Sequence, residues 1–507
     1  MNYHNKKTIQ TVTGNIGSRK TLTTLNWLDD LISKNMGCSL PVTISTPTNG
    51  LSKQYRANLE SRNIPCLVIS QEEGFRSASE EYERQCNAGY EGVLIVNHSI
   101  AAGAKANTAN RLLINDEVFS PVQNTYIKFK SAEDLQKLKV VEISDVPGYY
   151  ELVRSNVTDD MIEDAKECED SDFTQFGKKA QELGRLVNDD HYRTVIDIES
   201  FDKASSGEAF KQYKKVILQF TTFMQPSIVA GYKDALIISA EFEKTLLGMM
   251  WAKDVNFQPN EWIETKLDHD YLSRKAPKVE LHHAPVKNLS KTFFTRLGLG
   301  NRDQGNQIFL DMVADCLGEM FKGKDHIFCT NEPDKVTRYD WKLECPCKGK
   351  DEQCQCKGYG KRVIVNPHGW NHLENYDMGV FMAGINFDPV TNDRLFAFYG
   401  ITQERSKEAL CYHLVMQFLG RTSLRNQKRD EAIVLVAPDE GAAAYIQRIL
   451  GCAESKPLPI DLAKPPRKTR SDKKNKSDDQ KRAEAAERKR KSRAAKKAAA
   501  EAVSLAV

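Results

Sequence analysis

No apolar run in this 507-residue sequence reaches the roughly 18–20 residues that a membrane-spanning helix needs. Its opening, MNYHNKKTIQ, lacks the apolar core of a secretory signal. The twelve cysteines sit among charged stretches with no secretory frame, which reads as reduced thiols in a cytoplasmic protein. Hydrophobic residues at 40% and charged residues at 28% describe an ordinary globular chain, long enough for about three domains.

Net charge is small, at +3, but it is unevenly spread. Lys464 to Val507 holds 16 Lys/Arg and 6 Asp/Glu, a net +10, which leaves −7 for the rest. A mildly acidic body therefore carries a strongly basic tail, and any nucleic-acid affinity of the body must come from a local groove. The tail is rich in helix formers without an apolar stripe. It reads as a disordered, solvating segment that doubles as a salt-sensitive nucleic-acid tether.

What is present begins at Gly14-Asn15-Ile16-Gly17-Ser18-Arg19-Lys20-Thr21. The β-branched run Thr8–Thr13 before it reads as a strand, and Leu22–Ser33 after it reads as a helix. A glycine-bearing loop between strand and helix, closed by Lys-Thr, is the layout of a phosphate-binding loop. Backbone N–H groups and the helix N-terminus hold phosphate, lysine adds a full charge, and the threonine hydroxyl ligates magnesium. Arg19 stands where the pattern has its second glycine, so Gly17 is expected to take the bend.

Short apolar strands then alternate with helices: Val42–Ser45, Cys66–Ser70, Val93–Val96 and Arg111–Phe119, the last carrying Asp116-Glu117. That order indicates a doubly wound parallel sheet with functional groups at the strand C-termini. An Asp-Glu pair about a hundred residues after a phosphate loop has a mechanical meaning. The aspartate holds magnesium and the glutamate orients or deprotonates the attacking water.

From these residues the chain resembles the superfamily 2 helicases, the DEAD/DEAH-box-like ATPases, as a divergent phage- or plasmid-type member serving replication or recombination. TISTPTNGL looks like their motif Ia, IVNHS like the strand with His98, and DEVF like the DExH/DEAD box. Val118-Phe119 removes the histidine or aspartate that normally couples this box to the second lobe. Ser239-Ala240-Glu241 resembles motif III, with glutamate for threonine. Gly369-Trp370-Asn371 looks like motif V with asparagine for aspartate. Tyr412–Arg425, read as an amphipathic helix, resembles motif VI through Gln417, Gly420, Arg421 and Arg425, with one extra residue before the last arginine.

The resemblance implies an α/β fold of two tandem RecA-like doubly wound parallel-sheet lobes, a mostly helical insertion in lobe 1 and a basic disordered C-terminal tail. Lobe 1 is expected over 1–251 with the insertion at 122–232, the connection over 252–300, lobe 2 over 301–455 and the tail over 456–507. ATP and magnesium are the implied ligands. Gly14, Gly17, Ser18, Arg19, Lys20, Thr21 and Gln417 would bind the nucleotide, with Thr21 and Asp116 on the metal. Lys20, Asp116, Glu117, Arg421 and Arg425 would carry catalysis, either arginine being the finger. Thr46, Thr48, Asn49, His98, Gly369 and Asn371 would touch nucleic acid, expected to be single-stranded DNA. The insertion or tail is where replication or recombination partners would bind. Two other readings stay open, a terminase-like packaging ATPase and a non-hydrolysing nucleic-acid clamp.

One motif lies outside that frame. Cys345-Pro-Cys347 and Cys354-Gln-Cys356, six residues apart, either close around a structural zinc ion or form an oxidisable hairpin of thiols.

Overall fold

The structure, a computed structural model, describes residues 6–34, 40–159, 173–213, 215–290, 293, 302–331, 339–347, 356–366, 370–426, 428–452 and 454–462. The chain divides into two compact units, residues 1–291 with 309–460 and residues 292–308 with 461–507. In the second, residues 302–308 are helical. The basic stretch from Lys464 onward lies outside the described residues. The elements described below belong to the first unit.

Five strands come first: β1 (Lys7–Thr13), β2 (Val42–Thr46), β3 (Cys66–Val68), β4 (Val93–Asn97) and β5 (Leu112–Asp116). The segment after β5 adds β6 (Val122–Phe129), β7 (Val140–Glu142), β8 (Tyr149–Leu152), β9 (Tyr192–Asp197) and β10 (Val216–Met224). Then come β11 (Asp234–Ser239), β12 (Val255–Pro259), β13 (Val279–His283), β14 (His326–Thr330), β15 (Gly360–Arg362), β16 (Met378–Met382), β17 (Ile433–Ala437) and β18 (Lys456–Pro457).

The first sheet has the order β12-β1-β11-β5-β2-β4-β3, parallel throughout. Its strands are apolar on both faces because both are covered. In β5, Ile114 packs with Val12, Leu25 and Ile238 on one side, while Leu113 packs with Ile237, Leu247 and Trp251 on the other. The register brings Thr13 beside Ser239 and Ile238 beside Asp116, with Asn115 beside Ser45. The Gly14–Arg19 loop, the Asp-Glu pair and Ala240 therefore leave one edge of one sheet, at its strand C-termini.

The second sheet, β15-β14-β16-β17-β13-β18, is also parallel throughout. The α/β architecture of two doubly wound parallel sheets expected from the sequence is what the structure has. The expected connection 252–300 is partly sheet, however, because β12 pairs with β1 and β13 pairs with β17 and β18.

Between β5 and β11 the chain does not form a mostly helical insertion. It builds a five-stranded antiparallel sheet, β6-β10-β9-β8-β7, with helices against it. Ile127, Leu183, Ile196, Phe201 and Phe220 form its own core. The pairing of β6 with β10 joins residues about ninety apart in sequence, so helix formers such as Phe173–Val187 dominated the local pattern. This sheet also rests on the second-lobe helix Pro389–Tyr399. The Phe398 ring lies 5.2 Å from Tyr149 and 5.4 Å from Phe223, and Arg394 pairs with Asp197 at 3.0 Å.

Candidate active site

β1 ends at Thr13, and helix α1 (Lys20–Lys34) begins after a six-residue loop. Two residues of that loop adopt left-handed backbone, Gly17 at φ 79° and Arg19 at φ 65°. The bend expected at Gly17 is present, and Arg19 makes a second one. At Gly17 a side chain is also sterically excluded, since a Cβ would lie 2.1 Å from the ring of Tyr271. Ser18 is fully buried, its hydroxyl donating to the Asn15 carbonyl at 2.7 Å. Lys20 folds over the loop and donates to the carbonyls of Gly14 (2.6 Å) and Asn15 (3.0 Å).

Opposite the loop, Asp116 is 4% exposed and accepts hydrogen bonds from Tyr55 (2.7 Å) and Thr21 (3.3 Å). Tyr55 sits on α2 (Asn49–Glu60), and no sequence motif pointed to it. Burial, then the adjacent Glu117, push the Asp116 carboxyl up to about 6. Glu117 has left-handed backbone at φ 69°, anchored by its N–H to the Ile238 carbonyl at 2.8 Å. His98 donates to the Asp116 carbonyl at 3.1 Å and packs on Phe119, so it braces the Asp-Glu turn from behind.

The second lobe supplies the facing wall. The expected helix over Tyr412–Arg425 is shorter than its pattern suggested. A π-turn, Glu408–Tyr412, leads into the helix His413–Leu419, which stops at Gly420. Beyond it, Arg421 bonds back to Phe418, Thr422 to Leu419 and Arg425 to Thr422, each three residues back. That tighter winding absorbs the extra residue before Arg425 and places both arginines past the helix end. Gly420 lets the two lobes approach, because a Cβ there would come 2.7 Å from Ile16 of the Gly14–Arg19 loop.

Together these elements enclose a cleft of about 560 Å³. Gly17, Arg19, Lys20, Thr21, Asp116 and Glu117 line one side, and Gln417, Arg421 and Arg425 the other. Gly14 and Ser18 lie beneath the loop, buried. Gln54, Asn58 and Glu374 also line the cleft, and no motif pointed to them. Burial lowers Lys20 to about 8, against the pull of Glu117. Burial and the neighbouring Arg425 lower Arg421 to about 9. Two clustered guanidiniums and a lysine, gathered in one cleft beside the Asp116 and Glu117 carboxylates, suit an anion that carries its own cation.

Gln417 ties the walls together, with its Nε2 at 3.2 Å from Glu117 Oε2 and 2.7 Å from His413 Nε2. Its Oε1 is buried without a hydrogen-bond partner among the described residues. That orphaned acceptor, with Lys20 satisfied by its own loop, fits a site completed by a polar ligand. The adjacent Thr21 hydroxyl and Asp116 carboxylate form a hard oxygen set of the kind magnesium takes.

Among the residues expected on nucleic acid, Thr46 is buried and Thr48, Asn49 and His98 are half-buried. Thr46 is buried and bonded to Ser52 at 2.7 Å, and Thr48 caps α2 by accepting from the Leu51 N–H. Asn49 donates to Glu72 at 2.8 Å. Asn371 lies in a short turn at Asn371–Asn375, while Gly369 and Cys354 lie outside the described residues. At the motif III position, Glu241 has φ 45° and reaches the second lobe, accepting from Tyr445 at 2.6 Å and from Lys244 beside it.

No protein-family model and no curated protein matches the chain. Among solved structures it is similar to Xpd4 of S. tokodaii, at 10% identity and TM-score 0.43 over 89% of this chain and 96% of that one. It is also similar to a single-substitution variant of S. cerevisiae Dbp5 bound to RNA and ADP BeF3 (9%, TM-score 0.33, 90% and 86%). A third is the DUF1998 helicase MrfA bound to DNA (10%, TM-score 0.30, 89% and 47%).

Proposed function

We propose that this protein is an ATP-dependent nucleic-acid helicase or translocase that hydrolyses ATP between its two lobes. One observation carries the reading. Lys20, Thr21, Asp116 and Glu117 from the first lobe face Gln417, Arg421 and Arg425 from the second across a single cleft. A triphosphate entering it exchanges the Gly14 and Asn15 carbonyls for phosphate oxygens at the Lys20 ammonium. Thr21 and Asp116 would hold magnesium, which would supply positive charge to the phosphates.

Glu117 accepts the proton of the attacking water, and Gln417, already bonded to Glu117, helps to place that water. Charge building on the γ-phosphate oxygens is met by Arg421 or Arg425. Because these come from the opposite lobe, stabilisation depends on cleft closure, which couples hydrolysis to lobe movement. Single-stranded DNA is the substrate we infer, crossing both lobes near Asn49 and the Asn371 turn, with the basic tail as a tether.

ATP hydrolysis by the purified protein, with and without single-stranded DNA or RNA, tests this. Stimulated turnover that Glu117→Gln and Arg421→Ala each abolish is the expected result, and the better stimulator identifies the substrate. A parent protein that binds nucleic acid without turning ATP over would overturn the motor.

A further inference from the structure

Away from the cleft, three thiols converge at the edge of the second sheet. The Sγ atoms of Cys345, Cys347 and Cys356 all lie within 4.8 Å of one another, and Cys347 and Cys356 are 3.5 Å apart. Sulfurs sharing a tetrahedral zinc ion at about 2.3 Å stand about 3.8 Å apart. A disulfide needs two sulfurs at about 2.05 Å and gives no reason for a third to converge. We propose that Cys345, Cys347 and Cys356 hold a structural zinc ion that staples the edge strand β15 onto the second sheet. Thiolate donors select zinc over the hard magnesium of the cleft. The proposal rests on the three described thiols; the sequence also offers Cys354 for the remaining tetrahedral position.

The surroundings show why a staple is needed there. β15 is three residues long and pairs with β14, with a single parallel bridge from Gly360 to Glu344 beside it. So short an edge strand is marginal by itself. The two arms of the thiol cluster meet at its start, where Cys345 donates its N–H to the Gly360 carbonyl (3.1 Å) and Gly360 donates to Leu343 (2.7 Å). One step on, Arg362 pairs with the buried Glu344 at 2.9 Å, donates to Thr330 at 2.7 Å and lies over the Phe328 ring. Trp341 stacks on that same ring, with the centroids 5.2 Å apart. A metal joining Cys345 and Cys347 to Cys356 closes the loop between these arms and holds Arg362 in this nest. The chain then runs on to Glu374 in the cleft wall. The staple, on the second lobe alone, is thus separate from the cleft between the lobes and does not require that cleft to hydrolyse anything.

Elemental analysis of the full chain, purified without chelators, tests the proposal. The expected result is about one zinc per chain, lost in Cys347→Ser and in Cys356→Ser and kept in Cys66→Ser, a half-buried thiol of the first lobe. Should the serine variants fail to fold, cobalt added to chelator-stripped wild type must give the thiolate-to-metal absorption of a tetrahedral site, saturating at about one equivalent. Zinc-free protein that shows no such band overturns the proposal. So does Cys347→Ser or Cys356→Ser protein that keeps its zinc, or iron with labile sulfide in zinc's place. Hydrogen exchange across residues 356–366 should accelerate on zinc removal, and unchanged protection there would overturn the stapling role.

Discussion

Gln417 donates its side-chain amide across the cleft to Glu117 at 3.2 Å, joining residues three hundred positions apart. The same nitrogen lies 2.7 Å from His413 Nε2. An NH₂ group can only donate, so that imidazole nitrogen accepts and the proton sits on Nδ1. Burial keeps His413 below its ordinary value, which favours this neutral form against the pull of Glu117 and Glu241. Val118 and Phe119, which follow the Asp-Glu pair, are apolar, and a histidine from the second lobe stands behind the glutamine that reaches Glu117.

His413→Ala is therefore expected to reduce turnover about tenfold or more while changing the KM for ATP much less. Gln417→Ala should do the same, and the double variant should cost little beyond either single one, because both act through one contact. Steady-state kinetics on the four proteins check this. Additive losses would show that the two side chains act separately.

Lys20, lowered to about 8 by burial, makes nucleotide binding depend on pH. Bound phosphate favours the ammonium and raises this value, so the complex holds a proton that the free site loses above about 8. Affinity should be flat below that pH and fall up to about tenfold per unit above it. Calorimetry at about pH 8.5 in buffers of different ionisation heat should register proton uptake on binding, and Lys20→Met should abolish it.

Gly420→Ala should impede closure of the cleft. The added methyl meets Ile16 of the Gly14–Arg19 loop at 2.7 Å and the Met416 carbonyl at 2.9 Å. Overpacking of this kind typically costs about 1–3 kcal/mol. Loss of turnover should exceed loss of thermal stability, and trimming the partner in Gly420→Ala/Ile16→Val should recover part of the activity.

Arg394→Ala should loosen the antiparallel sheet from the second lobe. The guanidinium is 1% exposed and bonds Asp197 (3.0 Å), Thr221 (2.8 Å) and the Gln219 carbonyl (3.0 Å). Its loss strands these partners, but Asp197 remains about a third exposed, so the cost should be about 2–4 kcal/mol. A lower denaturation midpoint, with faster hydrogen exchange in β9 and β10, checks the expectation.

Local chemistry alone determined much of this protein. A β-branched run before Gly14, an apolar run before Asp116, capping residues such as Thr48, and glycines at the bends set the strands of the first sheet and the helices beside them. Both faces of those strands are buried, so their apolar runs are continuous and readable. The Asp-Glu pair was legible because it closes such a run, and the Lys-Thr pair because it closes the glycine-bearing loop that follows one. Tertiary structure decided what sequence spacing cannot carry. Tyr55 reaches Asp116, Gln417 reaches Glu117, and β12 joins the first sheet only because distant backbones pair in register. The antiparallel sheet was hidden because its strands gain their hydrogen bonds from partners far along the chain, whereas a helix bonds within itself. The arginines lie past the end of their helix, after a glycine whose missing side chain leaves room for Ile16 of the other lobe.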